Sequence, residues 1–274
     1  MPEREFAPPA AFPASLPGRW RAATAYPHPS TSRRTWHLGD GTLDATDPST
    51  VAAIDTFRHR PTTGTRGPLS WGAGSAPNGL ARDLRPDEAA GPTYTSAPLA
   101  DALEVLGVPE VVVHLAVDVP VATLSVRLSD VAPDGSVALV SAGVLNLTHR
   151  RSHTAPEPLR AGVVEEVRVP LRTAGYRWLP GHRVRVALAS ALWPVLWPSP
   201  FPAAFEVHRG PGTPSRLDLP VVPPAGGPGD ASVPVFRVDP PDLVWPVAAA
   251  PLDGGGPPRT DDPVWRIEED VIAG

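Results

Sequence analysis

LSVRLSDVAPDGSVALVSAGVLNLTHR, residues 124–150, reads as two strands and the turn that reverses them. Leu124, Val126 and Leu128 alternate with Ser125, Arg127 and Ser129. That period of two is what a half-buried strand requires, because successive side chains point to opposite faces. Ala132-Pro133-Asp134-Gly135 follows, with Pro where its fixed φ suits an early turn position and Gly where φ turns positive. Val137 to Leu147 is then a more continuously apolar strand.

Outward from this hairpin the pattern repeats. Val167, Val169 and Leu171 alternate with charged residues and Pro170, and Val184, Val186 and Leu188 alternate with Arg183, Arg185 and Ala187. Val111 to Val117 is a second continuously apolar strand. Leu179-Pro180-Gly181 supplies the turn before Arg183. Shorter strands are expected at Thr35 to Leu38, Tyr94 to Leu99, Ala204 to His208 and Arg216 to Val221, and a helical turn at Pro98 to Leu103. Strands at this spacing, with turn residues between them, predict an all-β fold, a jelly-roll β-sandwich.

Composition agrees. The 274 residues include 39 Pro and 24 Gly, together 63 positions that resist a regular helix, which excludes helical bundles and doubly wound α/β folds. Proline is sparse in the centre and dense at the flanks. This divides the chain into a lead-in at 1–17, a jelly roll at 18–222 and a Pro/Gly-rich extension at 223–274, whose end, VWRIEEDVIAG, carries a last strand-like alternation in Val264, Arg266 and Glu268. The net charge of -5 has no long single-sign runs, so nucleic acid is not the expected partner. All 24 basic residues are Arg, a bias that codon usage explains better than any site, and no Cys is available for a disulfide or a thiolate. The start of the chain develops no apolar leader, and the uncharged run Val186 to Phe205 is broken by Pro194, Pro198, Pro200 and Pro202. No membrane span is expected, and the cytoplasm is the expected compartment.

Catalytic chemistry is hard to place on these residues. The G-x-S-x-G nucleophile turn of α/β-hydrolases is absent; Gly74-Ser75 and Gly135-Ser136 come nearest and read as backbone fittings, while Ser190 and Ser199 have no evident partner. His149 and His153 have i, i+4 spacing, but the segment runs into Pro156 and reads as a loop, with two arginines opposing a cation and no third or fourth zinc ligand in view. His37 and His114 read as core histidines, and His182 as a turn or strand-edge residue. Asp118, Asp130 and Asp134 could gather calcium, yet turn and backbone-capping roles suit Asp134 and Asp130 better. Glu165 and Glu166 are adjacent, point to opposite faces and form no dyad. No metal and no cofactor is expected. Trp193 and Trp197, in ALWPVLWPSP, form either a sugar-stacking platform or a hydrophobic plug that docks on another domain, and the proline-rich setting favours docking.

YTSAPLADALEVLG (94–107), the quoted 124–150 hairpin and YRWLPGHRVRVALASALWP (176–194), in this order, resemble the C-terminal non-catalytic domain of X-Pro dipeptidyl-peptidase and cocaine-esterase type hydrolases. The resemblance covers about residues 18 to 222, from Pro17-Gly18-Arg19-Trp20 onward. It implies a galactose-binding-like jelly roll that follows an α/β-hydrolase domain. The family's nucleophilic Ser, Asp and His belong to that hydrolase domain, which would precede Met1; His28 and His37 fall inside the first sandwich segments and match no triad position. Asp130, Pro133, Asp134, Gly135, His149, Arg150, Gly181, His182 and Arg183 are thus similar to the family's fold signature and not to its catalytic machinery. The expected partner is the hydrolase domain, in the same chain or separately encoded, with homodimerisation through exposed strand edges as a further role. The chain alone is expected to be inactive. A stand-alone carbohydrate- or ligand-binding module is the alternative, and a structural or assembly protein a third reading.

Overall fold

The computed structural model describes residues 1–3, 9, 16–46, 51–67 and 80–234. Met1–Ala231 forms one compact unit and Ser232–Gly274 a second, of which only 232–234 are described. The first unit therefore takes in residues on both sides of the 18–222 span. Gly74-Ser75 and the VWRIEEDVIAG segment lie outside the described residues.

Fifteen strands and one short helix are described: β1 (Ala22–Ala23), β2 (Ser32–Leu38), β3 (Thr42–Asp44), β4 (Ala53–Arg58), α1 (Arg85–Glu88), β5 (Thr93–Ser96), β6 (Leu103–Gly107), β7 (Glu110–Val117), β8 (Thr123–Val131), β9 (Val137–Asn146), β10 (Glu165–Pro170), β11 (Ala174–Trp178), β12 (Arg183–Ala189), β13 (Ala204–Arg209), β14 (Arg216–Val222) and β15 (Asp230–Ala231). β2 to β14 make one hydrogen-bonded sheet of 13 strands, in which β6, β10 and β11 branch from a path of ten. It folds back on itself as a β-sandwich. One layer runs β5-β12-β8-β9; the other has β7 flanked by β10 on one side and by β13 and β14 on the other, and β3 joins the two through β2 and β5. Leu124, Val126, Leu128, Val184 and Val186 from the first layer share one buried core with Val111, Val113, Val167, Val169 and Leu217 from the second. Phe57 stacks on Phe205 at 4.6 Å within it.

β1 and β15 form a separate two-stranded ribbon, Ala22 opposite Ala231. Arg21 clamps it to the body, donating through Nε to Asp230 Oδ1 at 2.6 Å and through Nη1 to Glu104 Oε2 at 2.8 Å.

Two local expectations are corrected. The Pro98 to Leu103 segment is not a helical turn; it is a loop with a bend at 100–101 that leads into β6, and the α-helix lies earlier, at Arg85–Glu88. Nor is β8 half-buried. Ser125, Arg127 and Ser129 are as inaccessible as Leu124, Val126 and Leu128, because α1 and the 189–191 segment cover their face. Ser129 Oγ donates to Glu88 Oε1 at 3.1 Å, Arg127 Nη2 to the Asp87 carbonyl at 3.2 Å and Ser125 Oγ to the Ala191 carbonyl at 2.8 Å. Polar alternation here marks a hydrogen-bonded second contact surface and not solvent.

Candidate functional site

Seven of the nine signature residues, Asp130, Pro133, Asp134, Gly135, Gly181, His182 and Arg183, converge on one end of β8 and β12. Asp130, completely buried, accepts hydrogen bonds from Tyr176 Oη at 2.8 Å and from His182 Nδ1 at 2.7 Å. His182 closes the 179–182 turn at the edge of β12, and Asp130, expected to cap backbone, takes these two side-chain donors, which β11 and the turn bring inward from 46 and 52 residues away. Beyond it, Asp134 Oδ1 accepts from the Ser136 amide at 2.9 Å, and the Gly135 amide donates to the Ala132 carbonyl at 2.8 Å with Gly135 at φ +83°. The Gly181 turn packs on the same spot: a Cβ at Gly181 would stand 3.7 Å from Pro133 Cγ. Arg183 leaves this turn and donates to the Ser96 carbonyl at 3.1 Å.

Arg150 and His149 sit apart from this cluster. Arg150 forks onto Glu165, and its Nη1 donates to the carbonyls of Leu147 at 3.1 Å and Glu157 at 2.9 Å, tying down the long β9–β10 connection. The Arg150 hydrogen bond holds the Glu165 carboxyl below its usual range against the opposing effect of burial. The His149 and His153 rings lie 5.6 Å apart, centre to centre. Among the described residues no group of three or more His, Asp or Glu side chains is placed to hold a metal. Asp118 instead accepts the Ala204 amide at 2.7 Å. His114 lies on the outer face of β7, half-buried, with its Nδ1 enclosed and without a hydrogen bond, so it is not the satisfied core histidine the sequence suggests.

At the opposite end of β12, Trp193 and Trp197 meet edge to face, with centroids 5.6 Å apart. Trp193 is half-buried and Trp197 is 78% exposed. The segment is braced from below. Trp193 N donates to the Thr63 carbonyl at 2.8 Å, and the 64–67 loop is gathered by the buried Asp87 carboxylate, which accepts from Gly64 N at 2.9 Å and Gly67 N at 2.6 Å. Ser190, without an evident partner in the sequence, bonds His59 Nδ1 at 3.0 Å and accepts the Arg60 amide at 3.0 Å. Ser190 is buried, and no carboxylate among the described residues bonds His59, so the pair is a brace and lacks the arrangement of a nucleophile and its oriented base.

Residues 6–218 match the family described as the X-Pro dipeptidyl-peptidase C-terminal non-catalytic domain. The chain belongs to that family. Among curated proteins, the domain is 30% identical over 237 residues to a Mycobacterium bovis protein provisionally named a serine esterase, covering 79% of this chain and 38% of that protein. It is 27% identical to the cocaine esterase of a Rhodococcus species over 232 residues, covering 74% of this chain and 40% of the esterase. The chain thus spans about two fifths of the length of these relatives. An aminopeptidase from a marine-sediment Thaumarchaeota archaeon shares the fold at a TM-score of 0.63 and 23% identity, over 70% of this chain and 37% of that one. An α-amino acid ester hydrolase does so at 0.63 and 24%, over 69% and 36%. Membership favours the hydrolase-associated domain over the stand-alone binding module. Of the brace residues of this domain, His59 and Asp87 escaped sequence reasoning, and Ser190 was seen there only as a serine without a partner. Each is a single polar residue in an unremarkable context, and only the fold supplies its partner.

Proposed function

We propose that this domain docks on an α/β-hydrolase domain that cleaves Xaa-Pro peptide or acyl ester bonds, and that the Trp193–Phe201 end of the sandwich makes the contact. The observation that carries the proposal is the aromatic pair. Trp197 is exposed while the segment beneath it is tied down by the Trp193 N to Thr63 hydrogen bond and the buried Asp87 carboxylate, the arrangement of an anchor held ready for a partner's pocket. Phe201, 38% exposed, extends the same end. The hydrolase domain of a cocaine-esterase type relative, cut before its own C-terminal domain, provides the test. Sedimentation of the mixture should show a complex, and Trp197→Ala should weaken it at least about tenfold; equal affinity of wild type and variant would move the contact elsewhere. The chain alone should turn over neither Xaa-Pro-nitroanilide nor acyl esters.

A homodimer is a second proposed assembly. Among the described residues β4 pairs only with β13, leaving one edge open; light scattering across a concentration series reads it directly. The proposed compartment is the cytoplasm, in keeping with a chain without Cys that needs no oxidising environment to fold; fractionation of the host cell tests it. Among the described residues no helix is long and apolar enough to cross a membrane.

A further inference from the structure

The signature turns enclose an open groove of about 430 Å³ at the Arg183 end of β12. Its walls include Thr95, Pro133, Gly135, Gly181, Arg183 and Arg185, and its lining carries two cations and no carboxylate. Among the described residues no carboxylate pairs with Arg183; its hydrogen bond goes to the Ser96 carbonyl through Nη1. Arg185 is oriented by Thr95 Oγ1 at 2.8 Å and by Glu88 Oε2 at 3.0 Å, through Nε and Nη1. A third guanidinium stands at the rim: Arg85 Nη1 is 3.9 Å from where a Cβ at Gly135 would be, while Arg85 Nε and Nη2 bond Asp83. A further carboxylate at that rim, Asp134, is engaged by the Ser136 amide and hydroxyl.

Planar guanidinium forks held in fixed directions suit carboxylates, which they bind with paired, charge-assisted hydrogen bonds. The floor is turn backbone, Pro and Gly, and no aromatic ring lines the groove on which a base or a sugar could stack. Glu88 on Arg185 and Asp83 on Arg85 neutralise two of the three guanidinium groups, so Arg183 is the fork that the groove offers to a ligand carboxylate, and the acidic chain around it, at -5, would repel a long polyanion. Its volume falls within the range of ligand sites and accommodates a few side chains. From Arg183 to Ala189, β12 spans about 20 Å, so the groove and the tryptophan end lie at opposite ends of one strand. We propose that this groove binds an extended peptide segment bearing Asp or Glu side chains, and that it does so without the tryptophan end.

Fluorescence anisotropy of the full chain with a labelled Gly-Asp-Glu-Asp-Gly peptide tests this. The expected result is saturable binding that weakens with added salt, is absent for the Gly-Asn-Gln-Asn-Gly control, survives Trp197→Ala and falls at least about tenfold in Arg183→Gln. Arg183→Lys should lose less, which guards against reading a folding defect as a lost contact. Equal binding of the acid and amide peptides, or no effect of Arg183→Gln, would overturn the proposal. So would succinate competing as well as the peptide, which would make the ligand a small dicarboxylate, or an oligonucleotide of equal charge binding as tightly.

Discussion

Asp130 serves two donors at once, and the cost of losing it differs from the cost of losing either one. Asp130→Ala strands the Tyr176 hydroxyl and the His182 ring in a buried site, and unfolding in urea should show a loss of about 3 kcal/mol. Tyr176→Phe removes one donor and leaves the carboxylate bonded to His182, so about 1 kcal/mol is expected from the same measurement. The Arg150–Glu165 pair adds a pH dependence. Its carboxyl is depressed in the folded state by the Arg150 hydrogen bond, so its stabilisation is complete above the unfolded value of 4.5 and is lost as the pH falls through the lower folded value. Arg150→Gln should therefore destabilise the domain at about pH 7, and the gap to wild type should shrink as the pH falls below 4.5, read as the difference in urea midpoints.

At the scale of elements, the 60–67 loop depends on one glycine. Gly64 has φ +103°, and a Cβ there would lie 2.4 Å from the Trp193 carbonyl oxygen. Gly64→Ala should cost about 2 kcal/mol or more and shift the tryptophan segment, seen as lower thermal stability together with weaker hydrolase docking. Legibility in the sequence follows the same elements. The β8–β9 hairpin could be read because its apolar set faces a single core and its turn uses Pro, Asp and Gly in their ordinary positions. β4 could not: its inward Asp55 accepts from Tyr94 Oη and Arg209 Nε, both at 2.8 Å, which breaks the apolar period where the strand is most constrained. Burial and the Asp55 bond in turn push the Tyr94 hydroxyl up. β6 was hidden because LEVLG after Pro98 suits a helix start as well as a strand, and only pairing with β11 and β14 decides between them. The burial of Arg127 depends on a covering segment about forty residues earlier in the chain, beyond the reach of any local pattern. The tryptophan pair was visible as residues, but not the brace beneath it.

For the whole molecule, most strand pairings join distant parts of the chain: β2 with β14, β4 with β13, β5 with β12. Closing such loops before their contacts form is slow, and refolding from urea should proceed in milliseconds to seconds or longer, with more than one phase, in stopped-flow fluorescence. The exposed Trp197 reports a different property. Its replacement by Ala should leave the unfolding free energy within about 0.5 kcal/mol of wild type even where docking is lost, separating the role of this end in assembly from any role in stability.

The β1–β15 ribbon brings Ala22, near the start of the folded unit, beside Ala231 at its other end, locked by Arg21 onto Asp230 and Glu104. A unit whose ends touch behaves as a cassette. Joined from Ala231 to a start at Arg19, which keeps Arg21 on Asp230 and Glu104, it can be opened at another surface turn to give a circular permutant, or be inserted within a host protein's loop, without pulling any core strand out of register.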